Sequence, residues 1–299
     1  MTDGAVPAQP PRGWRDFEFS TFDGARLYAR VYGDGHRERL PAVCLPGLTR
    51  NSRDFHDLAS DLSQDRKVIA LDFRGRGRSA YSPGPDSYTP YVEMLDTLAL
   101  MDAAAVPTAA IIGTSRGGIV AMLMAVARPT ALAACVLNDI GPHIEPAGLL
   151  RIAGYVAHAP APESWDHAVA IVRQINEPAF TGLDDAEWDR FARQIYRDVD
   201  GRPRADYDPR LAATLEPVSA ARGYVPDMWP QFVALRHVPV LVVRGANSDL
   251  LTADTVAEMH ALHPGMHALT VKDRGHAPFL TESGVPRAIR RLIERAHAA

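Results

Sequence analysis

The sequence predicts an α/β protein whose sheet is mainly parallel, flanked by helices and interrupted once by a helical insertion. Three observations point there. Continuous apolar runs over 41–45, 67–73, 108–113, 133–138 and 238–245 alternate with helical spacing, as parallel strands covered on both faces require. The strand signals stop from about 142 to 235 and then resume. Residues 111–118 read Ile-Ile-Gly-Thr-Ser-Arg-Gly-Gly, a Gly-x-Ser-x-Gly pentapeptide set between an apolar run and a helical one.

The elements follow in order. Segments 16–24 and 25–33 alternate apolar and polar residues and are split by Asp23-Gly24, a hairpin signal. They suit an antiparallel edge of the sheet. The strand at 41–45 runs into Pro46-Gly47, and a helix over 54–64 begins after Asn51 or Ser52 as N-cap. The strand 67–73 is followed by Arg74-Gly-Arg-Gly-Arg-Ser79, then a helix over 90–105. After the strand 108–113 come the pentapeptide, a helix over 116–128 and the strand 133–138. The insertion, 142–235, holds helical segments near 147–157, 163–175, 185–198 and 208–215, with three of the four tryptophans. The chain closes with the strand at 238–245, a helix over 252–262, a strand over 267–272 and a helix over 286–297. The organisation expected is a loose tail over 1–15, a core formed by 16–141 and 236–299, and a helical cap over 142–235.

The 299 residues can bury a large core, and 46% apolar with 23% charged residues is ordinary for a globular protein. Net charge is −4 with no polybasic run, so neither nucleic acid nor an anionic membrane is an expected partner. Lysine occurs only at 67 and 272, which is read as composition bias. Cys44 and Cys135 fall in core strands and are expected as buried free thiols. No secretory signal or spanning stretch is visible, and a cytoplasmic location follows as the default. No metal or cofactor is expected: zinc-helix spacing is absent, and Gly75-Arg-Gly77 lacks the rest of a dinucleotide fingerprint.

The pentapeptide carries the chemistry. A strand, a glycine-flanked turn and a helix together form a nucleophile elbow, with Ser115 at the apex. On its own the motif also fits a plain strand-to-helix turn with a serine N-cap. A serine hydroxyl is a weak nucleophile at neutral pH and needs a base, which in turn needs an orienting carboxylate. In this architecture they follow in the order Ser, acid, His. Ser115, Asp249 and His276 occur in that order, both partners just past strand ends. Of eleven histidines only His276 combines that position with a preceding glycine. Asp139 also ends a strand and is the second candidate for the acid; Asp72 is expected to shape a turn.

With these residues the sequence resembles the α/β-hydrolase superfamily, over roughly 16–141 and 236–297. Asp72-x-Arg74-Gly75-x-Gly77-x-Ser79 is similar to its turn after the fourth strand, and Pro46-Gly47-Leu48-Thr49 to its oxyanion loop, where histidine is more usual than Pro46. Gly245-x-x-x-Asp249 and Gly275-His276 match its acid and base. The resemblance is strongest to capped esterases, enol-lactonases and carbon–carbon-bond hydrolases. It implies an α/β-hydrolase fold with a mostly parallel eight-stranded sheet and a cap.

A tetrahedral oxyanion needs preorganised donors, and the backbone N–H groups of Arg116 and Leu48 are the expected pair. The Arg116 side chain replaces the Met, Gln or Leu more common there. It is expected either to meet an anionic substrate group or to form an internal ion pair or bond the Asp72–Ser79 turn. His143, Trp165, Trp188 and Trp229 are candidate substrate contacts, each with a structural role as the alternative; Tyr155 and Phe232 are further aromatic candidates for the pocket wall. The leading expectation is a serine hydrolase cleaving a small ester, lactone or related acyl bond, working as monomer or homodimer. Carbon–carbon cleavage, acyl transfer and peroxidation on the same scaffold stand second. A ligand receptor with a retained triad stands third.

Overall fold

The computed structural model describes residues 13–158 and 160–298. The expected tail over 1–15 therefore falls mostly outside the described residues. The chain begins with an antiparallel hairpin, β1 (Arg15–Ser20) and β2 (Arg26–Tyr32), and continues with β3 (Ala42–Leu45), α1 (His56–Leu62), β4 (Val68–Asp72), α2 (Pro90–Ala103), β5 (Ala109–Thr114), α3 (Arg116–Ala127) and β6 (Leu132–Asn138). After the insertion come β9 (Val240–Gly245), α9 (Ala253–Leu262), β10 (His267–Val271) and α10 (Val285–Ala298). The eight strands lie in the order β1-β2-β4-β3-β5-β6-β9-β10. β2 runs antiparallel to both its neighbours, and every pairing from β4 to β10 is parallel. This is the α/β-hydrolase fold.

Alternation along the strands explains why helices cover both faces. Val43, Ile69, Leu71 and Ile111 point to one side and pack with Met94 and Leu100 of α2 and Val120 and Met124 of α3. Cys44, Ala70, Ile112 and Val136 point to the other, against Leu58 of α1 and Ile289 and Leu292 of α10. A two-residue period with both sets apolar is the mark of a strand buried on both sides.

The strand order reverses between β3 and β5, because β4 lies on one side of β3 and β5 on the other. Crevices at the carboxyl ends of open α/β sheets form at such a switch point. Here the loop after β3 and the turn after β5 open onto it, and Leu48 and Ser115 line one cavity.

The insertion contains α4 (Pro146–His158), α5 (Trp165–Asn176), α6 (Asp185–Ile195), a hairpin of β7 (Tyr196–Val199) and β8 (Arg202–Ala205), and the short α7 (Glu216–Ala220) and α8 (Trp229–Val233). The helix expected over 185–198 thus stops at Ile195. Asp200 and Gly201 both take left-handed backbone, with φ of 52° and 77°, and close a two-residue hairpin. The segment at 208–215 is 3-10 rather than α-helical. Capping fixes other ends: Asp184 and Glu187 form a reciprocal capping box at α6. Phe180, Trp188, Phe191 and Tyr196 give the insertion a small core of its own.

Candidate active site

Ser115 sits at φ 50°, ψ −112°, a strained conformation that pushes its side chain out of the turn between β5 and α3. The flanking glycines are sterically required. A Cβ at Gly117 would come within 2.1 Å of the Leu45 carbonyl oxygen, and one at Gly113 within 2.4 Å of the Gly117 backbone. Strand and helix can approach this closely only when both positions lack side chains.

The Ser115 hydroxyl donates to Nε2 of His276 at 2.8 Å, and Nδ1–H of His276 donates to Oδ2 of Asp139 at 2.8 Å. The carboxylate facing His276 is therefore Asp139, where Asp249 was expected. Asp139 follows β6 with φ 54° and is fully buried. Its oxygens also accept from the Gly245 N–H at 2.7 Å and the Ser248 hydroxyl at 2.6 Å. Three donors satisfy a buried charge that would otherwise be costly. Asp249 turns instead to the insertion, where Arg151 of α4 holds it through bonds of 2.6 and 2.9 Å. Burial pushes the Asp249 carboxyl up, but Arg151 and the nearby His276 outweigh it and hold it below its ordinary value.

Asn138, at the end of β6, ties the site together. Its amide donates to Thr114, the residue before the serine, at 3.0 Å, and to the Pro278 carbonyl beside the histidine at 2.9 Å.

Gly47 packs against the serine: a Cβ built on it would lie 3.9 Å from the Ser115 Cβ. Among the described residues, neither the Leu48 N–H nor the Arg116 N–H donates to any protein acceptor. Leu48 lines the same cavity as Ser115, and the Arg116 N–H, next to the serine in the chain, opens helix α3, whose dipole favours negative charge at that end. Such an arrangement can stabilise an oxyanion formed at Ser115.

A cavity of about 140 Å³ opens over the serine and histidine. Its core side is formed by Leu48, Arg50 and the loop 277–280; its other wall by Ile152, Tyr155, Phe191 and Tyr207 of the insertion. Burial raises the Tyr207 hydroxyl to about 12 and also raises Tyr155, so both remain protonated donors at neutral pH. Arg50 is neutralised by two bonds of 2.7 Å to Asp54.

The expected substrate contacts other than Tyr155 lie elsewhere. Arg116 forms the internal ion pair, with Nε 3.4 Å from Glu93, and does not line the cavity. His143 is surface-exposed and bonded to Asp227 at 2.8 Å. Trp165 donates to Asp198 at 3.0 Å under the Arg193 guanidinium. Trp188 is buried behind Phe191, stacked at 6.1 Å, and Trp229 and Phe232 pack together at 6.4 Å in the main core. Phe191 and Tyr207 escaped the sequence, since nothing distinguishes an inward-facing ring from a packing ring until the helices are docked. Among the described residues, no cluster of three or more His, Cys, Asp or Glu is arranged to hold a metal ion, and no helix is long and apolar enough to cross a membrane.

Fold and site define an α/β-fold hydrolase. The chain belongs to the alpha/beta hydrolase family, whose model matches residues 42–289. It is 33% identical over 260 residues to the 3-hydroxybutyrate-oligomer hydrolase of Cupriavidus necator, covering 85% of this chain and 87% of that protein. It is 30% identical to the 2-(acetamidomethylene)succinate hydrolase of Mesorhizobium japonicum, over 77% and 79% of the two chains. A crystal structure of an alpha/beta hydrolase from Novosphingobium aromaticivorans superimposes with TM-score 0.88 at 42% identity, covering 96% of this chain and 100% of that one.

Proposed function

We propose that the chain is a serine hydrolase cleaving a small carboxylic ester through an acyl-enzyme on Ser115. His276 takes the hydroxyl proton and returns it to the leaving alcohol. Asp139 holds the imidazole in the tautomer that accepts from serine and stabilises the imidazolium. The Leu48 and Arg116 N–H groups receive the oxyanion, and water, activated by the same imidazole, releases the acid. The observation that carries this is the unbroken chain from Ser115 through His276 to Asp139, with two 2.8 Å links.

For the substrate we propose esters of short hydroxy acids, the class named for the Cupriavidus relative. The cavity supports it: about 140 Å³ in volume, lined mainly by apolar residues, with Tyr155 and Tyr207 in its wall to meet a polar substituent. The residues between Asn138 and Val240 serve as its lid. The test is hydrolysis of 3-hydroxybutyrate dimer and trimer beside simple nitrophenyl esters, for wild type and Ser115→Ala. Ser115-dependent release of monomer is the expected result. Turnover of nitrophenyl esters alone would reject the hydroxy-acid class, and no Ser115-dependent turnover of any ester would reject the hydrolase.

A further inference from the structure

Beneath the two free donors lies a buried ion cluster that the hydrolytic chemistry does not itself use. Arg76, in the turn after β4, is wholly buried and donates from Nε to the Leu48 carbonyl at 2.6 Å. Its Nη1 bonds the Arg74 carbonyl at 2.6 Å and lies 2.8 Å from Oε1 of Glu93. Glu93, wholly buried on α2, reaches Arg116 with its other oxygen, 3.4 Å from Nε. Arg116 Nη2 in turn donates to the Tyr88 carbonyl at 3.4 Å. One carboxylate therefore joins the loop that carries Leu48 to the first residue of α3.

We infer that Glu93, through Arg76 and Arg116, is a positioning residue that sets the separation and aim of the two oxyanion donors. The inference rests on the proposed hydrolase reading of the same site. Leu48 lines the cavity and its carbonyl accepts from Arg76, so pinning the carbonyl restrains the turn that carries the N–H. Arg116 follows Ser115 in the chain, while its side chain is ion-paired with the same carboxylate at 3.4 Å. The two donors sit on separate elements, β3's loop and α3, which share no backbone hydrogen bond. A common anchor removes their relative freedom before substrate arrives, and preorganised donors are worth most in catalysis. Stability alone explains the cluster poorly. Buried ion groups seldom stabilise more than apolar residues would, and among the described residues Nη2 of Arg76 and both Glu93 oxygens lack a hydrogen-bond partner, the Glu93 contacts being ion pairs.

The test compares wild type with Glu93→Gln and Arg116→Met by kcat, KM and the Ki of a boronic-acid transition-state analogue. Melting temperature is followed alongside. Positioning predicts that kcat/KM falls about 10- to 100-fold in Glu93→Gln with KM nearly unchanged, and that Ki rises by the same factor. Arg116→Met keeps the Arg76–Leu48 bond and cuts only the link to α3, so its loss is smaller, with the same proportion between kcat/KM and Ki. It decides the matter should Glu93→Gln fail to fold. A folded variant that melts earlier with kcat/KM and Ki unchanged overturns the inference and leaves the hydrolase standing. Absence of Ser115-dependent turnover in the wild type overturns both.

Discussion

Oδ2 of Asp139 receives two donors at once, Nδ1–H of His276 at 2.8 Å and the hydroxyl of Ser248 at 2.6 Å. Ser248 is the residue before Asp249. The loop after β9 thus supports the carboxylate without supplying it. Asp139→Asn should lower kcat by about 10³- to 10⁴-fold, since an amide cannot stabilise the imidazolium and favours the wrong tautomer. Asp249→Asn should cost less than about tenfold. Steady-state kinetics on one ester decides, and the reverse ranking would return the role to Asp249.

Arg151 and Asp249 join the insertion to the sheet edge, and the pair has a defined pH signature. The Asp249 carboxyl is held below its ordinary value, so its contribution is full above the usual carboxylate range and lost as pH falls through the lowered value. Limited proteolysis of the segment between Asn138 and Val240 should be faster in Asp249→Asn than in wild type. The gap should stay constant from neutrality to about pH 4 and close below it. A gap that widens on acidification would contradict this.

Gly117→Ala should remove both fold stability and activity. The new methyl would lie 2.1 Å from a backbone oxygen of β3, which cannot move aside without distorting the sheet. A loss of about 3 kcal/mol or more is expected in chemical denaturation. A stable variant would mean that α3 can move away from Leu45.

Phe191 lines the cavity and packs against Phe279 at 5.0 Å, close to the reactive residues. Phe191→Leu should lengthen the pocket and shift preference toward longer acyl groups by about tenfold in relative kcat/KM. An unchanged chain-length profile would place the acyl group on another wall.

The sheet was legible because its strands are apolar on both faces and regularly spaced. The elbow was legible because sterics at Gly113 and Gly117 demand that pattern. His276 followed from its position after a strand. The partner of its Nδ1 did not: Asp139 and Asp249 both follow strands, and what separates them is a left-handed backbone at 139 and a cation at 151, 98 residues from 249 in sequence. The β7–β8 hairpin carries a turn signal at Asp200-Gly201, but its Arg-rich strands show no apolar alternation to mark them as strands. The aromatic wall could not be read, since a helix period shows which residues are apolar and not which neighbour they face.

The most direct measurement is intact and peptide mass spectrometry during turnover of an activated ester. Cys44 and Cys135 are buried, and burial raises both thiols, the second to about 12, so neither competes as nucleophile in the folded enzyme. An acyl mass on the peptide containing Ser115, appearing before steady state and absent in Ser115→Ala, is the predicted result. Turnover at full rate by Ser115→Ala, or an acyl mass on another residue, would contradict the account.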